Sequence, residues 1–196
     1  LTGIGGAIKN LSMGCGSRKG KLDMHSMSRP SVNQEKCTAC EQCINYCQEQ
    51  AIEIGKKAYI TENCVGCARC IGVCPEGAIE INYDASSENI QKKMGEYAYG
   101  VKSSFDSRML YINVITNVAP GCDCEPANDE PLVPDIGFLA STDPVAIDRA
   151  SYDLVKQANG GSDPFREFYP HLNPTIQLDY AGEIGLGNND YKSIEV

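Results

Sequence analysis

The chain has 196 residues, 42% of them hydrophobic, with a formal net charge of -9 and a pI near 4.7; it is long enough for one or two cored domains, and its acidity argues against general nucleic-acid binding. No apolar run approaches the roughly 20 residues that span a bilayer, and the opening Leu1-Thr2-Gly3-Ile4-Gly5-Gly6 lacks the basic start and apolar middle of a signal peptide, so a soluble, cytoplasmic protein is expected. The charge is uneven, +4 over residues 1–30, -4 over 31–84 and -9 over 85–196, and the segments are read in that order.

Residues 1–30 hold six glycines, at 3, 5, 6, 14, 16 and 20, with the basic side chains Lys9, Arg18, Lys19 and Lys21 and, beyond them, His25. Such glycine density predicts either a loop whose backbone N–H groups and lysines cradle an anion, or a flexible surface loop with solvated lysines. A Walker phosphate loop is excluded, because Cys15 stands where that motif needs Gly, and Leu22 where it needs Ser or Thr.

Residues 31–84 carry two runs of the form CxxCxxCxxxC, Cys37/Cys40/Cys43/Cys47 and Cys64/Cys67/Cys70/Cys74, the latter followed by Pro75. Three thiolates two residues apart wrap one face of an iron-sulfur cube, and the fourth reaches the neighbouring cluster. The spacing therefore predicts two [4Fe-4S] clusters, one on Cys37, Cys40, Cys43 and Cys74, the other on Cys64, Cys67, Cys70 and Cys47. A disulfide framework would need strained pairings within single turns, and zinc would leave two of the eight ligands without a role. Gln34 to Gly55 aligns without a gap on Thr61 to Asn82, each copy reading as cysteine loop, short helix and strand. Gln48 replaces the proline in the first copy, which removes a rigid turn and no ligand. Clusters of this kind point to a reducing, low-oxygen cytoplasm.

Residues 85–196 read as alternating helices and strands. Ser86 or Ser87 caps a helix to about Lys102, with Ile90, Met94, Tyr97, Ala98 and Val101 on one face. Leu110 to Val118 is a strand that delivers Pro120-Gly121-Cys122-Asp123-Cys124-Glu125-Pro126 into a loop. Ile136 to Leu139 is a short strand. Asp143-Pro144 is an N-cap with proline at the first helical position, opening a helix to Ala158 that stops at Asn159-Gly160. Residues 161–174 look irregular. A further helix runs from about Asn173 through Leu178, Ala181 and Ile184 to the glycines at 185 and 187, and Tyr191 to Val196 is a last strand.

Leu1 to Ser26 before the cysteine runs, with GGAIKN (Gly5 to Asn10) and Met13-Gly14-Cys15, resembles the family known as domain of unknown function 362, as do the GCDC loop (Gly121 to Cys124) and the STDPVAID segment (Ser141 to Asp148). The resemblance covers nearly the whole chain. It implies an α/β (or α+β) domain interrupted by a ferredoxin-like insert of the bacterial two-cluster type, as in some members, and iron-sulfur binding with redox work on no named substrate. Members generally continue upstream with another α/β portion, so the chain is expected to begin in mid-domain. The expected divisions are 1–30 as the first segment of the α/β domain, 31–84 as the two-cluster insert and 85–196 as the remainder.

The leading functional expectation is electron transfer between the clusters, a donor or acceptor protein, and a redox site in the α/β domain, as an oxidoreductase or a component of one. The alternatives are a metal- or cofactor-binding, redox-sensing module and clusters with a purely structural role. A second site is expected where the GCDC loop faces the glycine-rich segment. There Cys122 and Cys124, with Cys15 and His25, would bind a soft metal, or Lys9 and Lys21, with Arg18 and Lys19, would hold an anionic small molecule. The bland alternative is a small buried Cys15 and inert thiols.

Overall fold

The computed structural model describes residues 2–25, 29–80, 87–105, 109–122 and 129–195, and the backbone alone of Arg18, Lys19 and Leu22. The chain divides into two compact units, a discontinuous one built from Leu1–Cys15 and Gln91–Val196, and a continuous cysteine-rich one, Gly16–Ile90. The divisions thus fall after residues 15 and 90, where the charge and motif boundaries suggested 30 and 84. Among the described residues no helix is long and apolar enough to cross a membrane.

In the cysteine-rich unit, α2 (Arg18–His25) precedes β1 (Ser31–Val32), a 3₁₀ turn (Ile44–Tyr46), β2 (Ile52–Ile54), β3 (Ala58–Ile60), α3 (Arg69–Val73) and β4 (Ile79–Glu80). β1 pairs antiparallel with β4 and β2 with β3, so the strand before each cysteine run pairs with the strand after the other run. Ile52, Ala58, Ala78 and Ile79 pack with Cys37, Cys43 and Cys70 into a small core. The sequence repeat is also a repeat of backbone conformation. The left-handed residues Ala39, Glu41 and Gln50 (φ 55°, 61° and 49°) recur 27 positions later as Gly66, Ala68 and Gly77 (φ 70°, 56° and 56°).

In the discontinuous unit, α1 (Ala7–Lys9) runs into a π turn (Asn10–Gly14). α4 (Ser87–Ser103), which contains the division at Gln91, leads to β5 (Tyr111–Ile115), β6 (Gly137–Ser141), α5 (Pro144–Ala158), α6 (Pro164–Phe168) and α7 (Ile176–Glu183). β5 and β6 form a two-stranded antiparallel sheet with Asn113 opposite Leu139. Tyr111 and Ile115 of β5 are buried, while Ile112, Val114 and Phe138 face outward. The buried side of α5, with Val145, Ile147, Tyr152 and Val155, packs on this sheet, on α1 and on α7. Ile4, Ala7, Ile8 and Leu11 join Ala98, Tyr111, Val145, Leu178 and Leu186 in one core. Fifteen residues from the start of the chain therefore complete a core whose other members lie beyond residue 90.

The mixed α/β class expected from the alternation of elements is present, with its strands in small antiparallel sheets. Asp143 caps α5 through Val145 N and Ala146 N, and α5 stops at Asn159 with Gly160 left-handed. Three expectations are corrected. The glycine-rich segment is no extended loop, because Ala7 to Gly14 is helical and Arg18–His25 is a second helix. Residues 161–174 contain α6, which Asp163 caps through Phe165 N and Arg166 N as Asp143 caps α5. Residues 191–195 form no strand; a strand needs a neighbouring ladder, and Tyr191 is anchored instead by its hydroxyl, which donates to Asp153 Oδ2 at 2.9 Å. Ser86 lies outside the described residues.

Candidate functional site

Each cysteine run places three sulfurs along one loop because left-handed residues turn the backbone around them. Cys37, Cys40, Cys43 and Cys74 line one void, with Val32, Ile54 and Ile79 at its apolar side. Cys47, Cys64, Cys67 and Cys70 line a second, with Ile52 and Ile60. Each void thus takes three cysteines from one run and the last cysteine of the other. Among the described residues no three Cys, His, Asp or Glu side chains converge as ligands of a single metal ion; the sulfurs stand around each void.

Backbone N–H groups point at these sulfurs in repeat-equivalent pairs. Ala39 N donates to Cys37 Sγ at 3.5 Å and Gly66 N to Cys64 Sγ at 3.4 Å. Ala51 N donates to Cys47 Sγ at 3.2 Å and Ala78 N to Cys74 Sγ at 3.3 Å. Ala58 N adds a further bond to Cys37 at 3.4 Å. The bonds from Ala58 and Ala39 hold the Cys37 thiol below its ordinary value. Burial pushes Cys43 up, and the neighbouring Cys40, Cys74 and Cys37 add to the effect. Burial pushes Cys70 up to about 12, reinforced by Cys64, Cys67, Cys43 and Cys47. Ionised together, the four sulfurs around a void would repel one another unless a positive charge lay among them, and four soft sulfur donors are a set that iron in a cluster accepts.

The described residues that line a separate cavity of about 560 Å³ all belong to the discontinuous unit. Its wall includes the backbone of Gly3 and Gly5, Lys9, Thr116 to Cys122 after β5, Asp129, and Phe165, Tyr169 and Leu172. Lys9 Nζ donates to Cys122 Sγ at 3.3 Å. At its rim Asn117 is held left-handed (φ 49°) while its N–H donates to Asp135 Oδ1 at 2.8 Å.

Lys9 is placed by a side chain that sequence reasoning missed. Asp148, fully buried on α5, accepts from Ala7 N at 2.7 Å and Ile8 N at 2.8 Å, and from Asn113 Nδ2 at 2.8 Å. Burial raises its carboxyl above the ordinary value, while the three N–H donors pull the other way. A Cβ on Gly6 would stand 2.3 Å from Asp148 Oδ1, so only glycine admits the carboxylate there. The glycine-rich segment does cradle an anion with backbone N–H groups, and that anion is the chain's own. Its signal in the sequence was an acid on the apolar face of α5, in register with Val145, Tyr152 and Val155.

Of the residues expected at a second site, Lys9 and Cys122 meet. Cys15 caps the π turn, is exposed rather than a small buried residue, and is no part of this lining. Lys21 and His25 belong to α2 in the other unit, where Lys21 O lies 2.6 Å from His25 Nδ1. Cys124 and the side chains of Arg18 and Lys19 lie outside the described residues.

The glycine-rich stretch, the loop that opens with Gly121-Cys122 and the STDPVAID segment thus meet in space, the first touching each of the others through Lys9 and Asp148. The molecule is a discontinuous mixed α/β protein with a cysteine-rich unit set into its sequence. It belongs to the family described as Domain of unknown function (DUF362), whose profile matches residues 1–153 and so spans the cysteine-rich unit and part of the discontinuous one. No curated protein matches the chain.

Proposed function

We propose that the chain is an iron-sulfur electron-transfer protein, with a ferredoxin-like insert carrying two [4Fe-4S] clusters that serve a redox reaction at the discontinuous unit. The observation that carries this reading is the sorting of eight cysteines into two voids of four, each completed by the last cysteine of the opposite run. Cys37, Cys40, Cys43 and Cys74 would hold one cluster and Cys47, Cys64, Cys67 and Cys70 the other. When bound, such a cluster exchanges single electrons at a potential set by its ligands, hydrogen bonds to sulfur and solvent exposure. The chain supplies those settings. The N–H groups of Ala39, Ala51, Ala58, Gly66 and Ala78 stabilise ligand sulfur in its charged form. Val32, Ile52, Ile54, Ile60 and Ile79 limit water at the voids. Lys57 anchors the first loop by donating through Nζ to Cys37 O. A reducing cytoplasm and a protein donor or acceptor of electrons suit this chemistry.

Protein purified without oxygen is expected to hold about eight irons per chain, four per cube, and to be reduced and reoxidised reversibly in a spectroelectrochemical titration. Cys74→Ser should alter the spectrum of the cluster on Cys37, Cys40 and Cys43, and Cys47→Ser that of the other. Zinc in place of iron, a single cluster, or irreversible bleaching on reduction would overturn the proposal.

A further inference from the structure

The backbone bonds to sulfur in the cysteine-rich unit come in matched pairs with one exception, the bond from Ala58 N to Cys37. The strands show what stands in the matching place. Asn33 N donates to Ala78 O at 2.7 Å and Thr61 N to Ala51 O at 2.9 Å, so Asn33 and Thr61 occupy equivalent positions. The ladders agree: Val32 and Ser31 lie opposite Ile79 and Glu80, as Ile60 and Tyr59 lie opposite Ile52 and Glu53. β1 and β3 therefore match at an interval of 28 residues, one more than the 27 between the cysteine runs. The extra residue falls just before the first run, where Cys37 N reaches back to Asn33 O and Cys64 N to the nearer Thr61 O. By this register the counterpart of Ala58 is Pro30, and proline has no N–H. The bond that Cys37 accepts from Ala58 thus has no equivalent at Cys64, where the N–H that points at sulfur is that of Gly66.

We propose that Ala58 and Pro30 make the two clusters unequal. The Ala58 N–H raises the reduction potential at Cys37, Cys40, Cys43 and Cys74, and Pro30 withholds the same increment from Cys47, Cys64, Cys67 and Cys70. The inference rests on the iron-sulfur reading and deepens it by naming two positioning residues that set the clusters apart. Reduction adds one electron, and so one negative charge, that the ligand sulfurs share. An N–H aimed at such a sulfur stabilises the more negative state and so raises the potential. The bond is well placed to act. Cys37 is buried, so water does not compete for its sulfur, and Ala58 is buried at the first position of β3, which fixes the direction of its N–H. Lys57, the residue before it, donates through Nζ to Cys37 O and ties the same loop to the same strand. Charged side chains also line the voids, Glu41 and Glu76 at one, Glu49 and Arg69 at the other. They stay unchanged when residue 30 or 58 is replaced, so a change in potential isolates the N–H.

An anaerobic spectroelectrochemical titration of the full chain reads both potentials, the electrode supplying one electron to each cluster. Cys74→Ser and Cys47→Ser assign the two sets of signals. Pro30→Ala supplies the missing N–H. At a fixed applied potential it should move the reduced-to-oxidised ratio of the cluster on Cys64 upward by about threefold to tenfold, tenfold being 59 mV for one electron, and leave the other cluster unmoved. Ala58→Pro should move the cluster on Cys37 by a similar factor in the opposite direction and leave the cluster on Cys64 in place. Ala58→Gly keeps the N–H and should leave both where they were. A cluster on Cys64 that does not respond to Pro30→Ala would overturn the proposal, as would an equal shift of both clusters. That variant removes no hydrogen bond and does not depend on β3 accepting a proline. Iron content and the number of clusters in the unaltered protein report separately on the underlying reading: about eight irons with unmoved potentials sinks this inference alone, whereas the lack of two cubes sinks the reading beneath it.

Discussion

Gly6 and Asp148 sit 142 positions apart in sequence and have one function between them. The carboxylate satisfies two N–H groups at the start of α1, which no carbonyl of so short a helix can reach, and the missing Cβ of Gly6 gives it room. Gly6→Ala should therefore cost about 2–4 kcal/mol through displacement of the carboxylate. Asp148→Ala should cost about 3–5 kcal/mol, since it strands the N–H groups of Ala7 and Ile8 and the Asn113 amide. Urea unfolding followed through the tyrosines of the discontinuous unit checks both, as a fall in midpoint at constant slope. A midpoint unchanged in Gly6→Ala would mean that the carboxylate does not need this space. The glycines were legible as a sign of close approach. What approached was not, because an acid on an apolar helix face and a glycine pair far upstream carry no mark in one sequence that they belong together.

The cysteine-rich unit shows how a repeat of sequence becomes a repeat of conformation, and where the copies differ. Gly77 is left-handed at no steric cost, whereas its counterpart Gln50 holds the same conformation with a side chain. Gln50→Gly should raise stability by about 0.5–1 kcal/mol, and Gly77→Gln should lower it by a similar amount or more, both read as thermal midpoints of the reconstituted protein. The same result from both changes would show that conformation at this position is not what separates the copies. Elements with a local chemical signature could be read in advance. The left-handed stop at Gly160 and the Asp143-Pro144 start of α5 both formed as expected. Asp163-Pro164 bears the same start signature and does open a helix, overlooked because its apolar pattern lasts only five residues. The strand expected from Tyr191 failed for the opposite reason. Its composition favoured extension, but pairing depends on a partner elsewhere in the fold, which composition does not encode. Three sulfurs at each void follow from spacing within one loop, whereas the fourth comes from the other run, which the pairing of β1 with β4 and of β2 with β3 brings alongside.

At the scale of the whole molecule, the first fifteen residues contribute Ile4, Ala7, Ile8 and Leu11 to a core otherwise drawn from beyond residue 90. A chain lacking residues 1–15 should lose the cooperative unfolding transition of the discontinuous unit. The loss of buried Ile4, Ile8 and Leu11, at about 1.5–3 kcal/mol each, with Ala7 besides, is comparable to the stability of a typical domain, about 5–15 kcal/mol. Differential scanning calorimetry checks this, and a retained transition with unchanged enthalpy would show that residues 91–196 fold without their N-terminal partner.

That division also sets a timetable. The N–H groups of Ala7 and Ile8 must wait for Asp148, which follows Ala7 by 141 residues. At a synthesis rate of about 5–20 residues per second the delay is roughly 7–28 seconds. The cysteine-rich unit is one uninterrupted stretch, Gly16–Ile90, and emerges complete within that interval. It has been synthesised whole while the N-terminal residues are still waiting for the helix that holds them.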